Sequence, residues 1–329
     1  MKKVCIVGAG AIGGFLGAKL AAAGHVEVSA LARGDTFDAL RLHGWRLSTE
    51  AGLVQVPALA SNNATELGPQ DLVIIAVKGP ALAQVAQQIG PLLSSGTAVL
   101  PAMNGVPWWF SDGIPALRGH PLESIDPGSS IARAIPQHHV VGAVVHASTS
   151  SREPGWVSHK MGQGLIIGEP GGGQSQRAQR IADILLAAGF DVTHSSSIRH
   201  DIWYKLWGNM TMNPVSAITG ATIDRVLTDP LVRGFCSAAM TEASQIGARI
   251  GCVIDQSPED RHVVTAKLGV FKSSMLQDVE AGRAIELDTI VAAVRELGHR
   301  LGVATPNIDA LLGLTRLFGR VHGLYPEVG

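Results

Sequence analysis

The chain opens on an unbroken apolar run at residues 4–7, followed at once by Gly8-Ala9-Gly10-Ala11-Ile12-Gly13. Residues 15–23 then form a small-residue stretch that Gly24 stops. A run that is apolar at every position suits a strand covered on both faces, whereas a surface strand alternates. Residues 26–31, 71–77 and 97–100 repeat that buried-strand pattern, and residues 81–89 between them carry helical spacing. Strands alternating with helices at this interval predict a parallel, doubly wound sheet. After Asn104 the pattern breaks up, with Pro107, Pro115, Pro121, Pro127 and Pro136 punctuating a loop-like segment. Strand patterns resume at 139–149 and 156–167, ended by Pro170 and three glycines; 177–188 reads as helix and 190–193 as a last strand. Beyond Ser197 the strand signal fades, and helical spacing runs through 201–212, 230–250, 258–277, 286–301 and 307–318. The expected fold is an N-terminal α/β Rossmann domain over 1–196 and an all-α domain over 197–329.

Composition narrows the classes. With 46% hydrophobic and 16% charged residues the chain must fold compactly. A formal net charge of -1 with no basic stripe argues against nucleic acid as a partner. Cys5, Cys236 and Cys252 are too few and too scattered for a disulfide framework or a zinc knuckle, so a reducing, cytoplasmic setting is expected, with no metal. Lys2 and Lys3 before an apolar stretch mimic a secretory leader, but the regular glycines between Gly8 and Gly17 and the charge of Lys19 do not fit one. No segment has the roughly 18 uninterrupted apolar residues of a membrane span.

The glycines have a use that their number alone would not show. In Gly8-x-Gly10-x-x-Gly13 the first permits a tight turn, the second lets backbone approach a pyrophosphate, and the third lets helix pack on strand. The helix N-terminus then faces the phosphates. Gly8, Ala9, Gly10, Ala11, Ile12 and Gly13 are therefore the expected dinucleotide cradle. An NAD site would place a carboxylate about 20 residues on. Here that position is Arg33, whose guanidinium suits a 2′-phosphate, so NADP(H) is the expected cofactor. The alternative is a solvated Arg33 with Asp35 on the ribose. Lys78, past the third strand, lies at the carboxyl edge of the sheet and can reinforce phosphate or ribose contacts; a lone lysine at a strand end is otherwise solvated.

The richest stretch is Asp201 to Pro214. Asp201 can cap a helix on which Lys205, Asn209 and Asn213 fall four residues apart, on one face. Their neighbours are Trp, Leu, Met and Thr, so the helix is expected to be largely buried. A lysine there is costly unless it serves a ligand or a carboxylate. Hydride delivery to a ketone leaves an alkoxide that needs a proton, and a lysine of lowered pKa can supply it. Neutral amides can hold a hydroxyl and a carboxylate.

These features resemble the ketopantoate reductases. The resemblance covers nearly the whole chain: the glycine motif with an arginine after the second strand, Asn104-Gly105, the Lys205, Asn209, Asn213-Pro214 helix, and Ser273-Ser274-Met275-Leu276-Gln277-Asp278 followed by Glu286. It implies reduction of 2-dehydropantoate, a pantothenate-pathway step, with Lys205 as proton donor. It also implies that Asn209, Asn213 and Ser274 bind the 2-oxo acid, and that Asn104 touches both cofactor and substrate. Glu286 would hold the cofactor or orient the lysine, and Ala147 would give a backbone contact to the cofactor. Two departures bear on the substrate. A further asparagine common in the family is replaced within Thr222-Ile223-Asp224, and Trp108, Trp109 and Phe110 either line the pocket or anchor their loop.

Two other readings compete. One is a related hydroxyacid or polyol-phosphate dehydrogenase of the same two-domain plan; a phosphate-bearing substrate would call for an Arg/Lys cluster near Lys205, where the sequence offers mainly neutral amides and hydroxyls. A non-catalytic NADP-binding sensor would need only the nucleotide half. Self-association as a homodimer is also expected, through apolar helices such as the one at 285–301.

Overall fold

The computed structural model describes residues 1–327 of the 329. They form two compact units: 1–104 with 129–201, and 105–128 with 202 onward. The last join, between 201 and 202, falls five residues beyond the 196/197 boundary expected from the pattern. Residues 105–128, by contrast, pack with the helical unit although they lie inside the range expected for the first domain.

In the first unit the elements are β1 (Lys3–Val7), α1 (Ala11–Ala23), β2 (Glu27–Leu31), α2 (Gly34–His43), β3 (Trp45–Thr49), β4 (Gly52–Val56) and β5 (Leu59–Ser61). There follow α3 (Ala64–Leu67), β6 (Leu72–Ile75), α4 (Gly79–Gln88), β7 (Ala98–Pro101), α5 (Ser130–Ala134), β8 (Gly142–Glu153), β9 (Trp156–Gly168), α6 (Gln176–Ala187) and β10 (Asp191–His194). The expected parallel sheet is present in the order β5-β2-β1-β6-β7, with every pairing parallel. Leu72, Val73, Ile74 and Ile75 of β6 are fully buried, which is why their sequence lacks alternation.

A second sheet was not expected as such. It runs β10-β9-β3-β4, with the long β8 antiparallel to β9. The α1 helix packs against both sheets. A Cβ on Gly14 would lie 2.5 Å from Val157 of β9, and one on Gly17 would lie 2.4 Å from the Trp45 ring of β3. Gly14 and Gly17 of α1 are thus the means by which β9 and β3 of the second sheet approach it closely.

The second unit contains most of α7 (Ile198–Thr219), then α8 (Ile223–Thr228), α9 (Pro230–Arg249), α10 (Pro258–Ala266), α11 (Ser274–Glu280), α12 (Ala293–Arg300) and α13 (Pro306–Val321). A π-helical turn, Asp288–Ala292, leads into α12. Three helical expectations change. The stretch 258–277 is two helices, each started by its own serine cap, Ser257 and Ser273. The stretch 286–301 opens on the π turn, with Glu286 ahead of it. Finally, α7 begins at Ile198, so Asp201 does not cap it but sits in its first turn, where it accepts from the Ser195 hydroxyl. At its other end α7 runs on through Pro214 to Thr219, past the residue at which proline would be expected to stop it.

The segment 105–128 is fastened to the helical unit by backbone groups. Glu296 accepts from the Glu123 and Ser124 amides and the Ser124 hydroxyl, and Arg300 donates to the carbonyls of His120 and Pro121. Trp108, Trp109 and Phe110 are buried, and the Phe110 ring stacks on Trp203 at 6.1 Å between centroids. They anchor the loop. The apolar side of 285–301 is internal too: Ile285, Leu287, Ile290, Val291, Val294 and Leu297 are all buried. That stripe therefore has no surface to offer a twin, contrary to the expectation for it. Among the described residues no helix is long and apolar enough to cross a membrane, and no group of three or more His, Cys, Asp or Glu could hold a metal.

Candidate active site

The glycine motif makes the β1–α1 turn as its chemistry requires. Gly8 has φ +87°, a conformation that L side chains rarely adopt, and its N–H donates to Leu31 O at 3.0 Å, tying the turn to β2. A Cβ on Gly13 would lie 1.9 Å from Gly8 O, so the helix could not close on the turn with any other residue there. Gly10 differs: a Cβ there would meet nothing within 4 Å, and no side chain caps the helix it heads. That opening over uncapped first-turn amides fits a pyrophosphate. Ala9, Ala11 and Ile12 complete the turn and the start of α1.

Arg33 is the N-cap residue of α2, exposed, and its Nη1 donates to Gln84 Oε1 of α4 at 2.8 Å. Lys78 is the N-cap residue of the same α4 and is half-buried. The two cations expected to meet cofactor phosphate or ribose therefore stand beside one helix, with Gln84 orienting the guanidinium. Gln84 was not legible as a site residue, because a glutamine in a polar helix carries no local signal. Asp35, the alternative ribose ligand, is exposed in the first turn of α2. Asn104 follows β7 and is half-buried. Ala147 lies on β8, where the β8–β9 register shifts between His146 and Ser148. The extra residue of that irregularity lies on β9, opposite Ala147.

In the helical unit, the opposite side of α7 is pinned by tryptophans. Trp207 Nε1 donates to Met240 O at 2.7 Å, and a Cβ on Gly247 would lie 2.5 Å from Trp203 Nε1. The polar face is thereby held in one orientation. Asn213 is buried, and its Nδ2 donates to Ser274 Oγ at 3.4 Å, linking α7 to α11. Of the two adjacent serines, Ser273 caps α11 by accepting from Leu276 N at 3.0 Å, and so Ser274 is the one turned to Asn213. Asn209 is half-buried on the same face.

Part of Lys205 stays at the surface, but its ammonium is deep enough for desolvation to dominate, pulling the pKa from 10.5 down to about 8. The Glu286 carboxylate pulls the other way, keeping the ammonium form accessible near neutrality. A lysine in that range can both give and take a proton. By contrast, burial pushes the Cys5 and Cys236 thiols up to about 11, far from thiolate chemistry. One cation in this region was missed. Arg261 of α10 lays its guanidinium over the Tyr204 ring at 4.7 Å and packs against Gly208, between Lys205 and Asn209 in sequence. Its position 53 residues beyond Gly208 hid it from any local reading.

Comparison with known proteins identifies the family. The family model for ketopantoate reductase PanE/ApbA matches residues 4–172, and its C-terminal companion matches 197–318. A 2-dehydropantoate 2-reductase of Mesorhizobium japonicum is 40% identical over 324 residues, spanning 98% of this chain and 99% of the relative. A Ralstonia solanacearum MolK2 protein assigned to the ketopantoate reductases superposes with a TM-score of 0.95 at 53% identity, over 99% of this chain and 100% of that one. A PanE/ApbA family ketopantoate reductase of Ralstonia eutropha JMP134 does so with 0.83 at 28% identity, over 98% and 99%. With both halves matched and the glycine cradle and lysine helix in place, the chain belongs to the ketopantoate reductase family of oxidoreductases.

Proposed function

We propose that this protein reduces 2-dehydropantoate, or a close branched 2-oxo acid, to the 2-hydroxy acid with NADPH. The observation that carries the reading is the Lys205 face of α7, an ammonium of lowered pKa balanced by Glu286, with two amides alongside it and Ser274 held by one of them. The bound cofactor would supply hydride to the carbonyl carbon. Lys205 first polarises the carbonyl oxygen, then gives its proton to the alkoxide. Asn209, Asn213 and Ser274 hold the hydroxyl and carboxylate, neutral donors that leave Lys205 as the charge aimed at the reacting oxygen. Glu286 keeps Lys205 charged until the proton is needed, and Asn104 holds both cofactor and substrate.

The cradle of Gly8, Ala9, Gly10, Ala11, Ile12 and Gly13 takes the pyrophosphate, and the Ala147 backbone meets the cofactor. Arg33, steadied by Gln84 and joined by Lys78, takes the 2′-phosphate, and this is what favours NADPH over NADH. The buried cysteines suit a reducing cytoplasmic setting. A homodimer is retained in the proposal on a different surface from the one first expected. Leu314, Leu317 and Val321 form an exposed apolar stripe on α13, and sizing in solution tests it.

The deciding experiment is NADPH oxidation with 2-dehydropantoate beside a panel of 2-oxo acids and NADH. Preference for 2-dehydropantoate with NADPH supports the reading. Preference for a phosphorylated or aryl 2-oxo acid would replace it with a related dehydrogenase. NADPH binding with no turnover on any substrate would leave a nucleotide sensor.

A further inference from the structure

Residues 324 and 325 hold the chain on either side of Glu286. After α13, the Leu324 and Tyr325 amides both donate to Gly319 O, at 2.7 and 3.2 Å, folding the last turn back onto the helix. Leu324 is buried, and its carbonyl accepts from Ile285 N at 3.0 Å. The next residue, Tyr325, donates its hydroxyl to Asp288 Oδ1 at 2.6 Å. Ile285 and Asp288 bracket Glu286, with only the buried Leu287 besides it between them. On the far side, Val106 N donates to Thr289 O at 2.8 Å. Gly105, at φ +87°, presses so close there that a Cβ would lie 2.5 Å from Thr289 O. The segment 285–289 is thus clamped at both ends, and the π turn starts within it at Asp288. Such π turns recur at functional sites.

We propose that Tyr325, acting through Asp288, is a positioning residue that fixes the Glu286 carboxylate against Lys205, so that the last turn of the chain serves the reaction. The inference rests on the reading of Lys205 and Glu286 as a working pair. The hydrogen bond suits the task across the neutral range. Burial raises the Asp288 carboxyl, while Tyr325 counters it by donating. Burial and Asp288 hold the phenol well above its usual range, against the opposing pull of Arg316 and Arg320. The phenol therefore stays a donor throughout.

The test uses Tyr325→Phe, Asp288→Ala and the double variant in the full-length protein, with Lys205→Ala as reference. Each single change should lower kcat about 10-fold with the substrate KM and NADPH affinity little changed, part of the roughly 100-fold that a full 1 Å misplacement can cost. The alkaline limb of the kcat profile for reduction should move to lower pH, by roughly half a pH unit or more, because Lys205 loses part of its carboxylate partner. The double variant should be no slower than the worse single, since one hydrogen bond is lost in each. A lower Tm with unchanged kcat and an unchanged alkaline limb would overturn the proposal, leaving Tyr325 a structural residue. So would additive losses in the double variant. If Lys205→Ala itself retains turnover, the functional reading fails instead, and the two failures are told apart in one experiment.

Discussion

Lys205 makes the protein less stable than it could be, and that penalty can be measured apart from catalysis. Its pKa falls from 10.5 to about 8 in the folded chain, mainly by desolvation. At 1.36 kcal/mol per pH unit the shift corresponds to about 3 kcal/mol of folding free energy. The folded state binds the proton less tightly than the unfolded state, so the penalty is complete below about pH 8. It is relieved as pH rises from about 8 towards 10.5, where the unfolded chain still holds the proton and the folded one has lost it. Lys205→Met keeps an unbranched apolar stem and deletes the charge. It also leaves Glu286 without its cation, which takes back part of the gain, so about 1–2 kcal/mol of stabilisation is expected at pH 7. For a chain of this size that is a rise in Tm of the order of 1.5–3 °C. The same variant should lose roughly 100-fold or more in kcat for NADPH oxidation while still binding NADPH. The assay is paired thermal melts of wild type and variant at pH 7 and pH 9.5, with turnover measured alongside. The stability gap should shrink at the higher pH. A gap that stays constant would show that Lys205 does not titrate near 8, and retained turnover would remove it from the mechanism.

Three further outcomes are expected. Arg33→Glu should weaken NADPH binding by roughly 10- to 100-fold and leave NADH binding near its original strength, read by fluorescence titration; equal effects on both would dissociate Arg33 from a 2′-phosphate. Ser273→Ala should cost about 1 kcal/mol of stability through the lost cap on α11, whereas Ser274→Ala should raise substrate KM with little change in Tm. The reverse pattern would exchange the two serines' roles. Gly17→Ala should destabilise by about 1–3 kcal/mol in denaturant melts, because the added methyl would overlap the Trp45 ring at 2.4 Å; a neutral result would mean that β3 can yield to it.

The parts of this protein written in consecutive residues were readable from the chain alone. The buried strands β1, β6 and β7 show because a strand covered on both faces admits no polar position, and the Gly8–Gly13 turn shows because the positive φ at Gly8 and the close approach at Gly13 call for glycine at a fixed spacing. Lys205, Asn209 and Asn213 fall on one face by helical geometry, and an amide-rich stripe among tryptophans is conspicuous at once. The short strands β3, β4 and β5 escaped notice, since their burial is shared with partners far along the chain and leaves little local pattern. Tertiary structure alone decided the rest. Trp108, Trp109 and Phe110 are buried as loop anchors, with Phe110 stacked on Trp203, nearly a hundred residues away. Ser274 rather than Ser273 faces Asn213 because a helix start consumes the first hydroxyl. Gln84 beside Arg33 and Tyr325 on Asp288 are contacts between distant segments, which a one-dimensional pattern has no means of recording. Periodicity encodes what a residue's own element must bury; partners across elements are fixed only when packing brings those elements together.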